Sequence, residues 1–103
     1  MKPRYVLAPE AARDLVEIWI HLKEQAGLET ANRIELAIRG RILFLCTNPG
    51  AGHWRRDLTG HDVKFFSVYS YLVVYRPETQ PLQIVSILHG RRDLEEILKR
   101  RPS

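Results

Sequence analysis

The apolar residues of this chain keep helical spacing as far as Leu45 and strand-like clustering from Val63 onward. Leu15, Trp19, Leu22 and Ala26 follow Ala12 in steps of three and four, and Ile18 widens the stripe. Ala31, Ile34, Ile38, Ile42 and Leu45 repeat those steps. Each set lines one side of an amphipathic helix. Beyond them, "VKFFSV", "YLVVYR" and "LQIVSIL" are dense in β-branched and aromatic residues and read as strands. With "RYVLA" as one more strand ahead of the helices, the change of period confines the chain to the α+β class.

The punctuation agrees with this division. Pro9 suits the first turn of a helix, where a missing N–H is harmless, and Glu10 and Asp14 suit the dipole at that end. Gly27 is a natural stop. Thr30 is the expected N-cap of the second helix, and Asn48-Pro49-Gly50 ends it, because a residue before proline avoids helical angles. The short link around Gly27 implies an antiparallel helical hairpin. Ser70 and "PETQP" break the strands. Gly90 lets the chain turn, and Asp93 to Arg100 read as a short last helix. The expected architecture is a helical hairpin packed on a small, largely antiparallel four-stranded sheet. Its order is β-α-α-β-β-β-α, within a single domain over residues 1–103.

Several function classes drop out. No apolar run approaches the roughly 20 residues of a membrane span, and "MKPRYVLAPEAARD" lacks the apolar core of a signal peptide. Cys46 is the only cysteine, so no intrachain disulfide forms. A cytoplasmic setting fits, with Cys46 as a small core residue in "ILFLC". His21, His53, His61 and His89 show no metal-ligand spacing, and there is no glycine-rich phosphate loop. No cofactor or metal is expected. The net charge is +4, yet residues 10–45 hold five basic and six acidic groups. The positive excess therefore lies outside the helical region. It points to an anionic partner, either nucleic acid or an acidic protein segment, or to solubility alone.

Four stretches in this order resemble the ParE/RelE toxin superfamily, and within it the ParE-like branch. They are "YVLAPEAARDLVEIWIHL", "NPGAGHWRRDL", "YLVVYRP" and above all "ILHGRRDLEEIL". The resemblance implies a helical hairpin against a twisted sheet, and a toxin of a type II toxin–antitoxin module of the plasmid-stabilising kind. Its implied partners are a cognate antitoxin and DNA gyrase, which ParE-like members inhibit. The toxin–antitoxin complex would reach operator DNA through the antitoxin. RelE-like members instead cut mRNA on the ribosome, and a degenerate toxin would only bind its antitoxin; both alternatives stay open here.

Metal-free RNA cleavage needs a group to activate the 2′-OH, one to stabilise the phosphorane and one to protonate the leaving oxygen. The resemblance to RelE-like enzymes puts these on a middle-strand arginine, an arginine after the last strand and an aromatic in the final helix. The matching positions here are Leu72, Arg92 and Leu98. A late histidine serves some relatives, so His89 and Arg92 are the catalytic pair of the nuclease alternative; the gyrase reading assigns no catalytic residue. Candidate partner-binding residues are Trp54, Arg55, Arg56, Lys64, His89, Arg91 and Arg92. Trp54, Arg55, Arg56 and Lys64 join Arg91 and Arg92 as one basic surface in this reading. In the structural alternative, His89 packs against the helices, and Arg91 or Arg92 pairs with Asp93, Asp57 or Glu96. Tyr69, Tyr71 and Tyr75 alternate, so all three are expected on one face of their strand region.

Overall fold

The computed structural model describes residues 3–90. Strand β1 spans Tyr5–Leu7, helix α1 Pro9–Ala26 and helix α2 Leu28–Thr47; a single 3-10 turn follows at Pro49–Ala51. Then come β2 at His53–Trp54, β3 at Lys64–Val68, β4 at Tyr71–Arg76 and β5 at Leu82–His89. The sheet order is β1-β5-β4-β3-β2, with β1 parallel to β5 and the other neighbours antiparallel. The α+β architecture with a helix pair on a largely antiparallel sheet is as the sequence implies. The strand count differs: β2 is a fifth strand, two residues long and too short to show a period. The expected helix at 93–100 lies outside the described residues.

The second helix also starts earlier than expected. Gly27, with φ 94°, is the cap of both helices: its N–H donates to Lys23 O, and its carbonyl accepts from Ala31 N–H. Positive φ strains any residue with a Cβ, so the glycine selects this corner and Thr30 falls inside α2.

Ala11 and Leu15 of α1, and Ile34, Ile38, Ile42 and Leu45 of α2, bury against Val68, Tyr71, Val73, Tyr75, Leu82, Ile84 and Ile87 of the sheet. A smaller cluster lies on the other face: Val63, Phe65, Val74, Val85 and Leu88, with Leu58 and Leu72 beside it. Apolar residues on both faces explain why β4 and β5 read as continuous apolar runs rather than alternating ones. Val85 makes this possible in β5. Val74 pairs with Ser86 and Tyr75 with Ile84, so Val85 is an extra residue bulged between them. The bulge shifts the alternation, putting Ile84 and Ile87 in the main core and Val85 and Leu88 in the other.

Beyond Ile84, β5 outruns β1. Its Ile87 N–H on that open side donates to Asp14 Oδ2 at 3.0 Å, and Asp14 is only 7% exposed. An α1 carboxylate thus takes the place of the missing strand. Tyr69 corrects the shared-face expectation. It sits in the β3–β4 turn with φ 54° and is 66% exposed, while Tyr71 and Tyr75 are buried on the helix face. A left-handed residue at a turn breaks strand alternation.

Candidate functional site

The 3-10 turn after α2 aims the chain at the sheet edge. Tyr75, wholly buried, donates its hydroxyl proton to Pro49 O at 2.7 Å and accepts from Gly52 N–H at 2.9 Å. Burial pushes the Tyr75 phenol above its ordinary pKa, against the opposing pull of the Gly52 N–H, so the hydroxyl stays a donor. This contact fixes the start of β2, whose His53 pairs with Phe65 and Trp54 with Lys64.

Trp54 is 43% exposed, with Lys64 Nζ 5.0 Å and Arg56 Cζ 4.8 Å from its ring centroid. Cations at this distance are held by the negative face of the indole. Lys64 Nζ also donates to Gly50 O at 3.2 Å. Arg76, beside Lys64's partner Tyr75 in the register, lines a cleft of about 290 Å³ together with Trp54, Arg56 and Glu78. The result is an aromatic ring with two cations over it at a short sheet edge, and a third, Arg76, in the same cleft.

The structure divides the candidate residues. Trp54, Arg56 and Lys64 come together. Arg55 instead forms a two-pronged bond with Asp57, at 3.0 and 2.9 Å, and holds that carboxyl below the usual carboxylate range. Arg56 also donates to Gly60 O and His61 O at 3.2 Å, with Asp62 at 3.4 Å, so it closes the 55–62 loop as well as flanking Trp54. His89 is elsewhere. It pairs with Tyr71 across the strands, their rings edge-to-face at 5.4 Å, on the helix side of the sheet. Gly90 N–H donates to Ser70 O at 2.7 Å, at the β3–β4 turn, so this end of β5 lies at the opposite end of the sheet from Lys64 and Trp54. Arg91, Arg92 and Leu98 lie outside the described residues. Leu72 packs on the outer face with the smaller apolar cluster.

Arg76 was not among the sequence candidates. The Lys64–Tyr75 register brings it into the cleft that Trp54 lines, and no local pattern encodes that pairing. Cys46 packs beside the main core, donates its thiol to Arg4 O at 3.4 Å, and is pushed up in pKa by burial. Among the described residues no three metal-ligating groups converge, and no helix is long and apolar enough to cross a membrane.

Fold and site together define a small α+β domain with an aromatic and cationic sheet edge. The chain belongs to the family of ParE toxins of type II toxin–antitoxin systems, parDE, whose model matches residues 5–94. No curated protein matches it. Among solved structures it is similar to the chromosomal ParDE TA system from P. aeruginosa, with a TM-score of 0.71 and 21% identity. That match covers 82% of this chain and 92% of the other, and it bears on the fold alone.

Proposed function

We propose that this toxin inhibits DNA gyrase in the cytoplasm as a protein inhibitor, and that a cognate antitoxin neutralises it and carries the complex to operator DNA. One observation supports this over mRNA cleavage. Leu72, where a RelE-like site needs a cation, packs among apolar side chains on the outer face, whereas His89 turns to the helix face against Tyr71. A leucine neither stabilises a phosphorane nor moves a proton, and loss of one preorganised charge typically lowers rate about a hundredfold or more. Toeprinting of mRNA on translating ribosomes tests the point. No protein-dependent cuts are expected; ribosome-dependent cuts would return His89 and Arg92 to catalytic roles.

Trp54, Arg56 and Lys64 form the preorganised part of the target surface in this reading. Arg55 supports it through the loop, while His89, Arg91 and Arg92 supply a second contact region. Trp54→Ala with Lys64→Ala, and separately Arg91→Ala with Arg92→Ala, are expected to reduce toxicity at equal protein abundance. An aromatic anchor with its cations is typically worth about 2 kcal/mol or more at an interface, roughly thirtyfold in affinity. Growth inhibition and melting temperature are measured together. Full toxicity in a folded double variant removes that region from the target surface.

A further inference from the structure

The helical hairpin turns apolar residues outward, on the side away from the sheet. Val16 is 56% exposed, Ile20 45%, Leu36 69% and Leu43 40%. Val16 and Ile20 lie one turn apart on α1, on the side opposite the buried Ala11 and Leu15. Leu36 and Leu43 lie two turns apart on α2, off the buried stripe of Ile34, Ile38 and Ile42. Trp19 Nε1 donates to Asn32 Oδ1 at 2.9 Å, which sets the register of the two antiparallel helices and brings Leu36 nearly level with Val16. The four side chains therefore share one outward face across both helices. An exposed apolar patch of this kind marks a binding surface more often than a bare exterior.

The charges on this face complement themselves. Arg13 and Glu24 are exposed on α1, and neither has an ion-pair partner among the described residues. Glu24 follows Arg13 by about three helical turns, so the two share one side of α1 about 16 Å apart, with Ile20 between them. Two copies of α1 packed antiparallel across a two-fold axis set Arg13 of each against Glu24 of the other, and Ile20 against Ile20 near the centre. A parallel pairing would instead set Arg13 against Arg13. Lys23 is held nearby over the Trp19 ring, its Nζ 5.4 Å from the centroid. On α2, Gly40 lies between Leu36 and Leu43, and no atom stands within 4 Å of the place its Cβ would take. Nothing in the described fold demands a glycine there, and bare backbone lets a facing helix come close.

We infer that the outward face of the α1–α2 hairpin is a self-association surface, and that two copies of this chain pack hairpin to hairpin about a two-fold axis with α1 antiparallel to α1. The face is two helices wide and, along α1, 18 residues long. That makes it about 20 Å by about 27 Å. Two such faces bury about 1,100 Å² together, near the lower bound of a specific interface, so the dimer is a weak one with a Kd in the micromolar range. A partner of one charge sign is the poorer occupant, because α1 offers a cation at one end of the face and a carboxylate at the other. Trp54 stands on β2 at the edge of the sheet, outside this face, so each copy keeps its Trp54 region open. The pairing holds whether or not gyrase is the target.

Sedimentation velocity of the purified full-length chain, from about 1 to about 300 µM, reads the pairing directly. A monomer–dimer equilibrium is expected in the wild type. Ile20→Glu is expected to weaken it about a hundredfold and Arg13→Glu about tenfold, because each substitution acts twice across the two-fold. Arg13→Glu combined with Glu24→Arg exchanges both signs, and should return the affinity to within about threefold of wild type. Trp54→Ala should leave it within about twofold. Circular dichroism confirms that each variant is folded. A wild-type chain that stays monomeric across the whole range would overturn the inference. So would a dimer that Ile20→Glu leaves intact, or a charge exchange that restores nothing. A monomeric wild type whose antitoxin binding Ile20→Glu weakens would give the face to that partner, and the self-pairing would fall.

Discussion

Gly52→Ala is expected to cost this protein about 3 kcal/mol of stability and to lower its melting temperature by roughly 10–20 °C. An added Cβ would stand 2.5 Å from Tyr75 Oη and 2.9 Å from both Phe65 O and Tyr75 Cε1. None of these can step aside easily. Phe65 belongs to a strand paired on both sides, and the Tyr75 ring is wholly buried in the main core. The displacement would also break the Gly52 N–H bond to the Tyr75 hydroxyl. Tyr75→Phe keeps the ring but leaves Gly52 N–H and Pro49 O without it, at about 2 kcal/mol. The double variant should cost less than the sum, because removing the hydroxyl removes the nearest clash. Urea unfolding of the two singles and the double measures this. Additive losses, or a Gly52→Ala protein as stable as wild type, would mean the turn is not clamped as described. Because the clamp sets the start of β2, both variants should also loosen Trp54, visible as a change in its fluorescence.

Asp14→Ala is expected to cost about 2–3 kcal/mol, whereas Asp14→Asn should cost clearly less. The carboxylate accepts from Ile87 N–H where β5 has outrun β1. Alanine takes that donor's acceptor away; asparagine still offers a carbonyl oxygen. Amide exchange at Ile87 separates this account from a general loss of packing. In Asp14→Ala that amide should exchange much faster than its neighbours on the β4-paired side of β5. Equal protection in both variants would show that Asp14 does not cap this edge.

The parts of the fold that follow from local chemistry could be read from the sequence. Three-and-four spacing and the Asn48-Pro49-Gly50 stop gave both helices, and β-branched runs parted by Ser70 and "PETQP" gave the meander. What escaped depends on contacts between distant segments. A two-residue strand such as β2 has no period. The Val85 bulge is defined only against Val74 and Tyr75. Gly27 is legible as the stop of α1, but its second role as N-cap of α2 is not, because Thr30 is chemically the better side-chain cap, yet the left-handed glycine turns the corner first. In the site, the sequence singled out Trp54, Arg56 and Lys64, which do assemble. It could not separate Arg55, whose Asp57 partner is two residues away, nor place His89 on the helix face.

In the function proposed above, a folded, non-catalytic surface of this chain stops gyrase. This is tested most directly by adding the purified toxin to gyrase, ATP and relaxed plasmid, then trapping cleaved DNA with detergent and protease. Lost supercoiling and accumulated cleaved plasmid are expected, both reversed by the antitoxin and both weakened in Trp54→Ala with Lys64→Ala. Undiminished supercoiling with no cleaved DNA, at toxin in clear excess over enzyme, would contradict it.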